Sequence, residues 1–271
     1  VNMSFNIVVL AKQVIDPEAP TASYRIDGSA GKLEVDSSQK IAPVINGFCE
    51  NAIEAALQIK EAVGDATVSV ISAGSDFVMD VMKKAVSMGS DEMYLLQDEK
   101  FSNLNDSSIT AKLLASAIKK IGDYDLVIAG MQASDWDQAQ VPLGIAEILG
   151  VPCVPIARKI EIKDGRAICE RATDAGYETV SAPLPSVITV NNEFGQPRYP
   201  TLRNIMAAAR KTPITWDATE LGLSDDDLSP RIKIVDLFIP EKQSQCEIIE
   251  GEDEEEMGRN LALKMREAKL I

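Results

Sequence analysis

The sequence predicts an α/β protein: a mostly parallel, twisted sheet with helices on both faces, an antiparallel extension and a C-terminal arm. Three observations carry this. Short apolar, β-branched runs alternate with segments of helical periodicity up to Gly150, the pattern of strand-helix-strand units. After Val151 the rhythm changes to closely spaced short runs joined by turn residues. Beyond residue 211, Pro213, Pro230, Pro240 and the acidic Ser224-Asp-Asp-Asp227 read as a linker-like tail before one last helix. The chain therefore divides into an α/β domain, residues 1–211, and a tail with a terminal helix, residues 212–271.

Asn6 to Ala11 (Asn-Ile-Val-Val-Leu-Ala) is the first strand, apolar enough to be buried on both faces. Lys12 to Pro17 follows as a loop, and Tyr24 to Val35 as a hairpin around a Gly/Ser turn. Asn46-Gly47-Phe48-Cys49-Glu50 opens a helix whose inner face is Ala52, Ala55, Ala56, Ile59 and Ala62, with Asn46 as its cap. Ala66 to Ser72 is the next strand, Ala73-Gly74-Ser75 its turn, and Asp76 to Met88 a helix ended by Gly89. A strand over Asp91 to Leu96 and a helix over Ser107 to Ile121 complete the rhythm. Then come short strands over Ala157–Ile162, Arg166–Arg171, Tyr177–Ala182 and Ser186–Val190, with Asp164-Gly165 as a hairpin turn. Asn191 to Tyr199 reads as a polar loop exposing Phe194, and Thr201 to Lys211 as a short helix. The terminal helix, Met257 to Ile271, either packs on its own body or reaches a partner.

One stretch organises the rest. Leu126 to Ala129 is a buried strand, Gly130 ends it, small and polar residues follow, and a helix starts near Pro142. Ligands of open α/β sheets sit beyond the carboxyl ends of strands, and helix N-termini offer free N–H groups to phosphates. The stretch therefore suits a nucleotide. It carries no nucleophile with a base and no metal cluster. The Gly-x-Gly-x-x-Gly fingerprint is missing, so this is not an ordinary dinucleotide-binding Rossmann domain.

The composition removes other functions. The formal net charge of −15 disfavours nucleic acid and anionic membranes. With no histidine, the Ser-His-Asp arrangement and most nitrogen-ligated zinc sites are gone. Cys49, Cys153, Cys169 and Cys246 form no C-x-x-C pair and read as reduced thiols. No run is long enough to span a membrane, and no signal peptide is evident, so the expected location is cytoplasmic.

Specific motifs then point to a family. Cys169-Glu-Arg171-Ala-Thr-Asp174-Ala-Gly176-Tyr-Glu178 runs on through Pro185 to Thr189. Beside it stand Asn46-Gly-Phe-Cys49-Glu50, the loop after Gly130, Pro197-Arg198-Tyr199 and Thr201 to Met206. Over almost its whole length the chain resembles the β (small) subunit of electron transfer flavoprotein. The resemblance implies an adenine nucleotide alpha-hydrolase-like fold, a heterodimer with a larger α subunit, and electron shuttling without acid–base chemistry. It implies a nucleotide site lined by Leu10, Asn46, Gly47, Phe48, Cys49, Ala73, Gly130, Gln132, Asp135, Asp137, Gln138, Ala139, Gln140 and Val141. Asp135 would take hydrogen bonds from backbone N–H groups or a ribose; its plainer role is a loop cap. Backbone amides of Asp137 to Val141 would hold phosphates.

Simple members of this family hold AMP there as a structural ligand. Electron-bifurcating members hold a second FAD that accepts electrons from NADH, for onward transfer to a partner dehydrogenase and to ferredoxin or flavodoxin. Small Ala139 and apolar Val141, together with Pro17 where simple members can carry a tyrosine, resemble the bifurcating type. Phe194 and Arg198 fall in the family's recognition loop for an acyl-CoA dehydrogenase-type or other flavin dehydrogenase partner; incidental packing of Phe194 is the alternative. A stand-alone adenine nucleotide-binding regulator is the reading from a different class.

Overall fold

The computed structural model describes residues 4–27, 32–35, 41–102, 104–239 and 246–271. Strand β1 (Phe5–Leu10) leads through the two-residue β2 (Gln13–Val14), the hairpin β3 (Tyr24–Asp27) and β4 (Lys32–Val35), and β5 (Val44–Ile45). The predicted hairpin forms with Ile26 opposite Leu33, and its turn lies outside the described residues. The loop expected at Lys12–Pro17 contains β2, which pairs antiparallel with β5. Helix α1 (Gly47–Val63), β6 (Ala66–Gly74), α2 (Met79–Met88), β7 (Glu92–Gln97), α3 (Ser107–Ile121), β8 (Leu126–Gly130) and α4 (Val141–Leu149) give the alternating half. Strands β9 (Cys153–Lys163), β10 (Arg166–Thr173), β11 (Gly176–Pro183) and β12 (Ser186–Val190) follow. Then come α5 (Leu202–Arg210), β13 (Ile214–Trp216) and α6 (Glu254–Glu267).

Nine strands form one sheet in the order β11-β10-β9-β12-β8-β1-β6-β7-β13. The pairs from β9–β12 through to β7–β13 are parallel, and β9, β10 and β11 pair antiparallel. The central strands β1, β8 and β12 are buried on both sides because each side faces a core. Ile7, Val9, Leu126, Ile128, Ile188 and Val190 join the core under α1 and α2. The alternate residues Val8, Leu10, Val127, Ala129 and Val187 join the core under α3 and α4. The period-two side-chain alternation of a strand thus divides each run between two hydrophobic layers.

Several expected bounds needed correction. The last helix, expected over Met257–Ile271, runs Glu254–Glu267, its start capped by Asp253 through the Glu256 N–H. The strand expected from Ala157 begins at Cys153. The helix expected from Asp76 starts at Met79, because Gln13 Oε1 accepts a hydrogen bond from the Val78 N–H and Phe77 packs over Gly74. The tail expected from residue 212 first adds β13 to the sheet edge beside β7 and buries Ala218 and Leu221. The chain leaves the body only after Leu228, where the backbone N–H groups of Arg231 and Ile232 bond to Asp106 Oδ2. Asp164 and Gly165 both take positive φ (51° and 70°), the turn predicted for β9–β10.

The sheet order reverses at β1. From β1 the chain crosses by α1 to β6 and then outward to β7. Helix α3 carries it back over β1 to β8 on the other side. The carboxyl ends of β1 and β8 therefore diverge into connections that run in opposite directions, which opens a crevice between them.

Candidate functional site

A cleft occupies that crevice. It encloses about 810 Å³, open solvent at its mouth included. Its floor is built from strand ends: Leu10 and Ala11 from β1, Ala73 from β6, and Ala129 and Gly130 from β8. Cys49 of α1 closes one side, and Leu104, Asn105, Thr110 and Leu114, at and before α3, close another. The remaining wall is the loop from Met131 to Gln140 together with Val141 and Pro142.

Gly130 is required where it sits. A Cβ there would lie 2.7 Å from the Phe48 carbonyl carbon and 2.9 Å from its oxygen, so only glycine lets α1 approach the end of β8 this closely. The loop beyond is fixed from several directions. The Met131 N–H bonds to Val190 O (2.8 Å), and the N–H groups of Trp136 and Asp137 both return to Ala133 O. Asn46 Nδ2 donates to Gln132 O (2.8 Å), and Asn46 Oδ1 accepts from the Ser134 N–H (3.1 Å). Gln132 Nε2 donates to Asp137 Oδ1 (2.8 Å). Gln138 Nε2 donates to Asn105 O, and Gln140 Oε1 accepts from the Ser107 hydroxyl, so both side chains tie the loop to the start of α3. Asp137 and Ala139 take positive φ (48° and 54°), a conformation costly for side-chain-bearing residues and maintained by this web of bonds.

The geometry suits an anion. Helix α4 has no side-chain cap and no acidic residue in its first turn. The backbone N–H groups of Gln138 to Val141 have no acceptor among the described residues. Such a helix start presents unpaired N–H groups and the positive end of the helix dipole. Lys12, which follows β1, supplies a cation on the same cleft wall and pairs with Asp135 at 2.6 Å. The Ser134 hydroxyl is buried and has no hydrogen-bond partner among the described residues. Burial raises the Cys49 thiol above its ordinary value, and hydrogen bonding from Asn46 offsets part of that rise, so this cysteine is a neutral piece of wall. Among the described residues no cluster of His, Cys, Asp or Glu could hold a metal ion. No helix among them is long and apolar enough to cross a membrane.

Of the residues expected here, Leu10, Cys49, Ala73, Gly130, Gln132, Asp137, Gln138, Ala139, Gln140 and Val141 line the cleft. Asn46, Gly47, Phe48 and Asp135 do not. Asn46 sits at the N-cap position of α1, but its side chain makes no capping bond and instead supports the Gln132–Ser134 backbone. Phe48 backs Gly130, Gly47 faces solvent, and Asp135 turns to Lys12, so it is an ion-pair partner and not a loop cap. The residues that sequence reasoning passed over are Ala11, Lys12, Ala129, Pro142 and the lining residues at and before α3. Lys12 was signalled by its place directly after the first strand; Leu104 and Asn105 reach the cleft only through tertiary packing.

Phe194 is not exposed as expected. It is half-buried, packs against the core under α1, and is followed by Gly195, whose carbonyl accepts from Asn51 Nδ2 (2.7 Å). Arg198 is engaged within the chain by Glu54 and Glu61. The exposed apolar residues near them are Tyr199, Leu202, Ile205 and Met206, on and before α5.

A doubly wound α/β sheet with an uncapped helix start at its switch point defines a ligand-binding protein of the nucleotide-site type. The model of the electron transfer flavoprotein domain matches residues 37–221, more than half of the chain. The chain is 34% identical over 269 residues to the caffeyl-CoA reductase-Etf complex subunit CarD of Acetobacterium woodii, covering 98% of this chain and 99% of that protein. It is 37% identical over 274 residues to the electron transfer flavoprotein subunit beta of Thermoanaerobacterium thermosaccharolyticum, covering 98% and 100%. To the subunit beta of Bacillus subtilis it is 30% identical over 266 residues, covering 98% and 100%. The chain belongs to the electron transfer flavoprotein family as a β subunit, and its role is electron transfer.

Proposed function

We propose that this β subunit holds FAD in the switch-point cleft and, with an α subunit, takes electrons from NADH and passes them on by flavin-based bifurcation. The recipients are a partner dehydrogenase and ferredoxin or flavodoxin. The observation that carries the reading is the stretch Asp137 to Val141. Its small Ala139 at positive φ and its uncapped helix start line the cleft with residues whose backbone N–H groups have no acceptor among the described residues. Backbone donors at a helix N-terminus accommodate a diphosphate without the bulk of long side chains.

The residues present fit an adenine-bearing dinucleotide. Gln138 to Val141 and Lys12 would face its phosphates, and Leu10, Ala73 and Ala129 would floor the site. When bound, FAD would supply the electron-accepting chemistry; the chain supplies binding, orientation and exclusion of water. In this reading Asp135 neutralises Lys12 until phosphate competes for it. The exposed apolar residues of α6, Met257, Leu261 and Leu263, suit a contact with the α subunit. A flavin dehydrogenase would dock near Arg198, against Tyr199 and the exposed residues of α5. The relative named for a caffeyl-CoA reductase-Etf complex supports a partner of that class.

Cofactor extraction from the purified αβ complex, followed by chromatography, tests the reading. Two FAD per heterodimer is expected. One FAD with one AMP overturns bifurcation and leaves a β subunit whose nucleotide is structural. A stable lone chain that binds AMP without flavin absorbance overturns the electron-transfer arrangement as a whole.

A further inference from the structure

Trp136 lines the cleft yet remains 36% exposed, and its indole makes no ring pairing or hydrogen bond among the described residues. A tryptophan left partly in water gives up much of its burial free energy. Ordinarily a mobile loop would fold such a ring down onto the apolar floor. Here the loop cannot easily do so. The flanking residues are tied on every side: Ser134 N–H to Asn46, Asp135 to Lys12, Asp137 to Gln132, and the Trp136 and Asp137 N–H groups to Ala133 O. The turn therefore holds in place the backbone that carries the indole at the cleft wall. A pre-set aromatic surface loses little freedom when a flat ligand meets it.

The neighbouring chemistry says what kind of ligand that is. Just along the chain the loop changes from the aromatic turn to the free N–H groups of Gln138–Val141, and Lys12 lies on the same wall. The apolar lining comes from Leu104, Leu114 and Met131. Flat aromatic surface, apolar floor and anion-binding N–H groups in one cleft match a planar heteroaromatic ring joined to phosphate.

We propose that Trp136 is the ring-stacking element of the cleft, holding a planar ring of the bound nucleotide against its indole face. The inference rests on the nucleotide reading above. The ring is either adenine, shared by AMP and FAD, or isoalloxazine, present in FAD alone.

The chain has two tryptophans, which makes a direct test available. Trp216 lies on the edge strand β13, against Tyr94 with ring centroids 5.0 Å apart, and is separated from β1 by β7 and β6. Its emission serves as an internal reference for folding. Nucleotide-stripped full-length chain, in complex with its partner subunit, is titrated separately with AMP and with FAD, for wild type, Trp136→Ala and Trp136→Phe. The nucleotide whose ring stacks, AMP and FAD alike for adenine or FAD alone for isoalloxazine, should quench the Trp136 emission in wild type, and that component should be missing in Trp136→Ala. Affinity should fall about tenfold in Trp136→Ala, the scale of one lost ring stack, and return close to wild type in Trp136→Phe. A loss for both nucleotides assigns the stack to adenine; a loss for FAD alone assigns it to isoalloxazine. Wild-type affinity for both nucleotides in Trp136→Ala, with Trp216 emission unchanged, overturns the proposal and leaves the nucleotide reading standing. Equal losses in the Ala and Phe variants also overturn it, since a ring would then not suffice. Wild type that binds neither nucleotide overturns both.

Discussion

The Arg198 guanidinium holds the Glu54 carboxylate with two groups at once, Nε at 2.8 Å and Nη2 at 3.0 Å, and the Arg198 backbone N–H adds a third bond at 3.1 Å. Glu54 lies in the middle of α1 with 6% of its side chain exposed, while Arg198 sits in the loop before α5. This pair fastens the segment carrying Tyr199 to the helix that backs the cleft. Burial acts to raise the Glu54 carboxyl, but the hydrogen bonds from Arg198 and Gln58 outweigh it and hold the group below its ordinary value.

Arg198→Ala therefore leaves a buried carboxylate without its counter-charge. The expected cost is about 2 kcal/mol, less than for a wholly buried pair because Arg198 is partly solvated. A urea midpoint measures it. Glu61, the outer partner, is 62% exposed, so Glu61→Ala should stay within about 0.5 kcal/mol of wild type. The pH dependence has a fixed sign. A carboxylate held below its unfolded value contributes stability above about pH 4.3, and that contribution is lost as pH falls through the folded value. The acid-induced loss should be smaller in Arg198→Ala than in wild type. Equal acid sensitivity would show that the pair is not the titrating element.

Gly130→Ala pushes a methyl group into the Phe48 backbone. Backbone cannot swing aside as a side chain can, so α1 or the end of β8 must shift. A loss of about 1–3 kcal/mol is expected, the range for overpacking, with weaker nucleotide retention. Gly47→Ala is the contrast. A Cβ there meets no protein atom, and stability should change by less than about 1 kcal/mol. Thermal melts of the two variants make the comparison.

The thiols should separate by burial. Burial pushes Cys169 up to about 12 and raises Cys49 and Cys153 above the usual thiol value. Thiolate is the reacting form, so these three should be slow. Cys246 is exposed. Ellman's reagent at pH 8 should give one fast equivalent per native chain and four after denaturation. Two fast equivalents in the native chain would mean that one of the inner thiols is open to solvent.

How much of this was legible in the sequence depends on where the determining forces lie. Helix α3 matches its expected span because Asp106 caps it through the Ser108 N–H and Gly122 ends it, both local signals. The paired cores under the sheet were legible as unbroken apolar runs. Strand β13 was not, since three residues carry no period and only pairing with β7 makes them a strand. Phe194 was misplaced because a polar loop looks exposed in one dimension, yet Asn51 and the core under α1 draw it inward. In the cleft, the family motif located the loop, but the side-chain directions of Asn46 and Asp135 depended on distant partners.

Two truncations separate the body from the arm. Ending the chain at Lys211 removes β13 and the buried Ala218 and Leu221, and should leave an unstable protein. Ending it at Ile239 keeps the Arg231 and Ile232 bonds to Asp106 and should melt close to wild type. The second truncation also removes α6, none of whose residues is buried, so co-purification with the α subunit should fall while the melt does not. Co-purification undiminished would mean that α6 is not the point of attachment.

The bond from the Met131 N–H to Val190 O bears on biosynthesis. The residues lining the cleft end at Pro142, in the first turn of α4, whereas β12, the strand that pins the start of their loop, is synthesised only after β9, β10 and β11. A nascent chain that has emerged only through α4 thus carries the lining but not the anchor. The cleft takes its final shape when β12 slots in beside β8, so a ligand that needs the finished loop, as in the function proposed above, would bind only after Val190 has left the ribosome.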